Sequence, residues 1–223
     1  MSVRERLEDA RVLTANDCPE GAFIQVLIAA AATSRKRYPK NEWDDNESFR
    51  NFIYDEMGVI TGVAKYGVVL PFQGRDTPLE DILYSHLRCQ LLHEGAMPHS
   101  IVFTEPQLEE GQSLAVLQLS NPLGFPPAWI DQLATAVWLA PENDNLWQDE
   151  LEKRRNSREE LGNLIHTDSF CRRPGQQSKK MKNRNEKYPF TSDGITLTVS
   201  YPPSLSLSDL PALLEKMADN IND

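Results

Sequence analysis

Cysteine is scarce in this chain. There are three, Cys18, Cys89 and Cys171, widely separated and without a Cys-x-x-Cys pair. An odd and scattered set argues against a disulfide framework and against a structural zinc site. Long hydrophobic runs are missing as well. The most apolar uncharged stretch, Gly21 to Ser34, is shorter than the roughly 20 residues a helix needs to cross a bilayer. The opening MSVRERLEDARV is charged throughout and does not read as a signal peptide. Positive charge is in deficit: 23 Lys and Arg stand against 33 Asp and Glu, a formal net charge of −10. That balance disfavours bulk attraction to nucleic acid. These absences lead to the expectation of a cytoplasmic protein in a reducing compartment, with no membrane partner and no cofactor.

What is present is enough for one large domain, or one domain with an appendage: 223 residues, of which 40% are hydrophobic. The 15 prolines point to long loops. Charge is unevenly placed. From Lys153 to Lys187 eleven Lys and Arg face four Asp and Glu, a local +7, so the remainder carries −17.

Apolar spacing predicts a helix from Phe23 to Arg37, ended by Pro39. A second helix is expected in DDNESFRNFIYDEMG, capped by Asp45 or Asn46, with Phe49, Phe52 and Ile53 as its stripe and Gly58 as its stop. TPLEDILYSHLRCQLLHEG reads as a third. Thr77 would be its N-cap, Pro78 its first residue, Glu80 part of a capping box and Gly95 its stop. The period then changes. Ile101–Thr104 and Leu114–Leu119 read as a hairpin, with Thr196–Tyr201 expected to join it, because a lone hairpin is only marginally stable. A helix over PPAWIDQLATAVWLAP comes next, then a charged helix, and after the GITLTVS strand a last helix over SDLPALLEKMADNI. The expected architecture is mainly α: an antiparallel helical bundle with a small antiparallel β-sheet appendage. Its expected parts are a helical domain over 1–165 with a β-hairpin at about 100–119, a basic mobile loop over 166–190, and a strand and helix over 191–223 packing on the same domain.

The third helix carries the chemistry. LYSHLRCQLLHEGAMPHS, residues 83–100, holds three of the four histidines. At about 100° per residue, Leu79, Leu83, Leu87 and Gln90 share one side, and Arg88 falls opposite. His86, Cys89 and His93 share a flank. Arg88 and His93 stand about 140° apart. Three readings remain open at this point. The histidines can be satisfied core-edge residues, with Arg88 in a salt bridge. His86, Cys89 and His93 can ligate zinc, though about 10 Å of helix is long for one ion. Or His93 can move a proton while Arg88 holds a phosphate, the minimum for cleaving RNA through its own 2′-hydroxyl.

RCQLLH resembles the Arg-x4–6-His motif of the HEPN superfamily. SRKRYPKNEWDDNESFRNFIYDEM together with ILYSHLRCQLLHEG is similar to a group of bacterial HEPN-like proteins, over roughly residues 20 to 140. The resemblance implies an all-α bundle and a homodimer whose motif helices face each other across a cleft. Many members are metal-independent endoribonucleases of toxin–antitoxin or phage-defence systems. Others are inactive modules that bind RNA, a nucleotide or a protein. It marks Arg88 and His93 as the catalytic pair, with RNA or an antitoxin as partner; His86, Cys89 and Glu94 are neighbours that could support the pair, though the motif does not name them. Active members often carry Asn, Asp or His after the arginine. Here it is Cys89, a poor hydrogen-bonding substitute, which favours the non-catalytic alternative.

The basic stretch supplies a second candidate surface. Arg172, Arg173, Lys179, Lys180, Lys182 and Arg184 can contact phosphate backbone with strong salt dependence, or simply balance an acidic body. Trp129, Trp138 and Trp147 could stack on bases, but their helical spacing reads rather as core or interface. The acidic clusters Asp44/Asp45/Glu47 and Asp55/Glu56 read most simply as solvated helix faces.

Overall fold

The computed structural model describes residues 1–62, 67–105, 107–109, 112–165 and 198–200. They form a mainly helical body with small β-sheets. The first helix, α1 (Val3–Ala15), is not among the expected elements, although Val3, Leu7 and Ala10 bury one face at helical spacing. Ser2 and Glu5 form a capping box at its start. The central element is α2 (Pro19–Arg37), which packs against α1, α3 (Asp45–Asp55) and α7 (Ala128–Leu139). Its alanines let neighbours approach closely. Ala22, Phe23, Val26, Leu27, Ala29 and Ala30 are all buried. As expected, it ends just before Pro39.

Helix α3 starts one residue earlier than expected, because Asp44 is the N-cap and accepts from the Glu47 N–H at 2.6 Å. Gly58 is no stop either. It lies inside the short α4 (Met57–Thr61), which ends at Gly62 with φ +73°. Next comes a hairpin that apolar spacing does not announce, β1 (Val69–Phe72) with β2 (Arg75–Pro78). Gln73 and Gly74 turn it, both at positive φ, as a two-residue hairpin loop requires. Thr77 and Pro78 therefore close a strand, and the third helix begins at Leu79 without a capping box. It runs through α5 (Leu79–Asp81), a π-helical segment (Ile82–Arg88) and α6 (Cys89–Glu94), and stops at Gly95, φ +70°.

The β pairing departs from expectation. Strand β3 (Ile101–Phe103) belongs to no hairpin. It pairs in parallel with β6 (Leu123–Phe125). The hairpin is instead β4 (Gln107–Glu109) with β5 (Gln112–Val116). Strand β7 (Thr198–Ser200) joins β5 antiparallel, as expected for that stretch. Adjacent runs suggest a local hairpin; the parallel pair needs a partner beyond the next two strands. The expected C-terminal helix lies outside the described residues.

Helix α7 is almost entirely buried, Trp129 and Trp138 included, and Trp147 is buried beyond it. The expected charged helix is preceded by two 3-10 turns (Pro141–Leu146 and Gln148–Glu150) and is α8 (Leu151–Ile165). Two of its arginines face inward. Arg154 donates to the carbonyls of Trp138, at 2.9 Å from Nε, and Ala140, at 3.1 Å, and pairs with Asp144 at 2.9 Å. Arg158 donates to the Leu139 carbonyl and pairs with Asp144. The open carbonyls at the end of α7 thus find donors. Burial, and the nearby Arg158, lower the Arg154 pKa to about 10, still charged at neutral pH.

The Asp55/Glu56 pair is the clearest correction to the surface reading. Both side chains are buried against Arg37 at the end of α2, with Glu56 Oε1 at 2.6 Å and Asp55 Oδ2 at 3.4 Å from Nη1. Glu142 closes the far side at 2.9 Å from Nε, and the Arg37 guanidinium lies 4.8 Å from the Phe52 ring. Burial disfavours the charge of Arg37, but Glu56, Glu142 and Asp55 outweigh it and raise its pKa.

Among the described residues, no helix is long and apolar enough to cross a membrane. The tightest backbone approach in the β region is at Gly124, where a Cβ would meet Thr104 Cγ2 at 2.5 Å and Gln118 Cβ at 2.7 Å. Gly124→Ala is expected to lower stability by about 1–3 kcal/mol, as overpacking does, read as a drop in urea midpoint at unchanged slope.

Candidate functional site

The π-helical segment decides where the motif residues go. In it the N–H of Cys89 reaches the carbonyl of Tyr84, five residues back. A wider turn advances each residue by less than an α-helix does, so the α-helical wheel misplaces the residues beyond it. Leu79, Ile82, Leu83, Leu87 and Leu91 are buried, close to the expected stripe. Arg88, expected opposite that stripe, is half-buried instead and faces α3.

There it meets two rings. Phe49, on α3, and Tyr84, on the π segment, have centroids 5.7 Å apart. The Arg88 guanidinium carbon lies 5.5 Å from the first and 5.3 Å from the second. Its Nε is buried and has no hydrogen-bond partner among the described residues. Among the described residues no carboxylate pairs with it, whereas the other half-buried and buried arginines of α2, α3 and α8 have acids. Cation–π contact of this kind contributes about 0.5–2 kcal/mol. It holds the side chain in place without neutralising it.

A second arginine shares the joint. Arg50, next to Phe49, places its guanidinium carbon 5.5 Å from the Tyr84 centroid. Its Nε is 3.0 Å from Asp81 Oδ1 and its Nη2 is 3.4 Å from Ser85 Oγ. Sequence reasoning misses Arg50, Phe49 and Tyr84 as site residues. Their only local signal is an arginine beside an aromatic on a helix destined to pack against the motif helix.

The remaining predicted residues are spread out. His93 and Glu94 are exposed on the last turn of the helix, and His93 makes no contact with Arg88 that would join them in one chain. Cys89 is half-buried and free. His86 turns toward the β1–β2 hairpin, its ring 4.8 Å from Phe72 in an edge-on arrangement. The zinc reading of His86, Cys89 and His93 does not hold: among the described residues no group of three or more His, Cys, Asp or Glu is placed to hold a metal ion. Arg172, Arg173, Lys179, Lys180, Lys182 and Arg184 lie outside the described residues.

A family model described as Rv1289 matches residues 2–159. No curated protein matches the chain, and no solved structure does. The matched span runs from α1 into α8 and therefore covers the whole Arg88 joint.

Burial first, and Arg75 second, lower the pKa of His86, with Asp81 opposing. The unfolded chain thus takes up this proton more readily than the folded one. The site costs no stability above the ordinary value of 6.5 and costs progressively more as pH falls from there toward the lowered folded value. His86→Phe should remove that part of the acid sensitivity, read as a smaller loss of urea midpoint between about pH 7.5 and 5.5 than the wild type shows.

Proposed function

We propose that this chain, which belongs to the Rv1289 family, is a HEPN-like module that binds RNA without cleaving it and takes a backbone phosphate on Arg88. The observation that carries this reading is the state of Arg88: fixed between two rings, partly exposed, and without a carboxylate among the described residues. A guanidinium offers a planar fork that matches phosphate geometry. One already held in place loses less side-chain freedom when the anion arrives. Two features favour binding over chemistry. Cys89 comes directly after the arginine, and within the chain the exposed His93 does not meet the guanidinium. The acidic body disfavours bulk attraction to RNA, so this reading rests on the local contact rather than on overall charge.

A second reading rests on one specific observation, the exposure of His93 on the same helix. In a homodimer with motif helices crossing, His93 of one copy can reach the phosphate held by Arg88 of the other. The chain would then be a metal-independent endoribonuclease of toxin or phage-defence type, with an antitoxin as a natural partner.

Single-stranded RNA titrated against the full chain, read by fluorescence anisotropy and on a denaturing gel, separates the two. The binding reading expects intact RNA, and Arg88→Ala weakening affinity by about tenfold or more, the loss of a charged hydrogen-bond pair. His93→Ala should bind as the wild type does. Cleavage that persists in EDTA and disappears in His93→Ala would replace this reading with the endoribonuclease. RNA affinity indifferent to Arg88→Ala would end both.

A further inference from the structure

Arg50 and Arg88 come from different helices, yet both guanidinium carbons stand within 5.5 Å of the Tyr84 ring centroid. A single aromatic side chain therefore fixes two forks at one joint. Among the described residues, only Arg50 has an acid. Arg50 Nε is 3.0 Å from Asp81 Oδ1, but that nitrogen is buried and lacks a properly directed hydrogen bond. The pair is close and poorly aligned. Asp81 and Arg50 are each about four-fifths covered, with 22% and 19% of the side chain exposed. The three charged side chains of this contact set, Arg50, Arg88 and Asp81, sum to one positive charge. That matches the single negative charge of a phosphodiester, and falls short of a terminal phosphate monoester at neutral pH.

We infer that Arg50 is a second phosphate-contacting residue of the site that Arg88 begins, with Tyr84 as the ring that positions both and Asp81 as the intramolecular anion that occupies Arg50 until a phosphodiester arrives. This rests on the RNA-binding reading of Arg88. On arrival the phosphate takes the well-directed hydrogen bonds that Asp81 leaves unmade. Asp81 then faces solvent at the edge of the joint. No bond is made or broken; one anion replaces another.

The salt dependence of RNA binding by the full chain tests this. Each phosphate contact on a single strand contributes about 0.7 to the slope of log affinity against log salt concentration. With one phosphate shared by both forks, about 0.7 is the most that either substitution can take from the slope, and Arg50→Ala should lower it measurably, as Arg88→Ala does. Arg50→Lys should restore most of the slope, which a packing role for Arg50 would not require. Asp81→Asn should tighten binding severalfold at low salt by freeing the guanidinium. Adenosine 5′-monophosphate, with its terminal phosphate, should compete far more weakly per phosphate than the RNA strand. A slope unchanged in Arg50→Ala while Arg88→Ala lowers it would overturn the role of Arg50 and leave the RNA-binding reading standing. Slopes unchanged in both would overturn the reading itself. Equal competition by the monophosphate would overturn the phosphodiester assignment. If Arg50→Ala loses its helical circular dichroism, Asp81→Asn decides: unchanged affinity would overturn the proposal.

Discussion

A guanidinium buried at the end of α2 sets the geometry of everything around the motif helix. Arg37 reaches Glu56 and Asp55 at the end of α3 and Glu142 just beyond α7. The Tyr38 hydroxyl adds a hydrogen bond to Asp55. Three helical elements are thus tied at one charged point inside the core. Burying such a group is costly unless its partners are complete, so the tie tolerates little displacement. Burial raises the pKa of Glu56, with Arg37 pulling it back down. Three carboxylates around one cation would repel one another without it. The direction of α3 is set by this fixed end, and α3 carries Phe49 and Arg50.

The candidate site is the other end of the same lever. With α3 held by Arg37, Phe49 presents its ring to the motif helix, where Tyr84 and Arg88 meet it. An unbroken α-helix with the expected phase would turn Arg88 toward solvent. The π segment between Ile82 and Arg88 changes that phase and lays the arginine on the rings. A local irregularity in the backbone is what converts a solvent-facing charge into a held one. Arg154 and Arg158 show the contrasting use of arginine in this fold. They are supplied with carbonyls and Asp144 and serve the end of α7, whereas Arg88 has rings and, among the described residues, no acid.

Much of the helical architecture is legible from spacing. The end of α2 near Pro39, the stop at Gly95, the buried stripe of leucines and the inward-facing tryptophans all arise from local pattern. What escapes has identifiable physical causes. Asp55 and Glu56 look like a solvated helix face, because the arginine that buries them lies 19 residues from Glu56, and Glu142 lies 105 residues from Arg37. Hairpin β1–β2 carries Pro71 in its first strand, a residue that weakens any strand reading. The parallel pairing of Ile101–Phe103 with Leu123–Phe125 cannot be read from neighbouring runs, which favour a hairpin. The site itself is half legible. Arg88 stands out by motif, but Phe49, Tyr84 and Arg50 become its neighbours only through the π segment and the packing of α3.

The central claim is that Arg88 is a held cation awaiting a phosphate. The side-chain Nε–H of Arg88 is buried, so its nitrogen resonance should be protected enough to track directly by NMR, with Arg88→Lys used to assign it. During titration with single-stranded RNA the account predicts that this signal moves and saturates together with binding. RNA that binds and shifts backbone signals elsewhere, while the Arg88 Nε–H stays where it was, would contradict it.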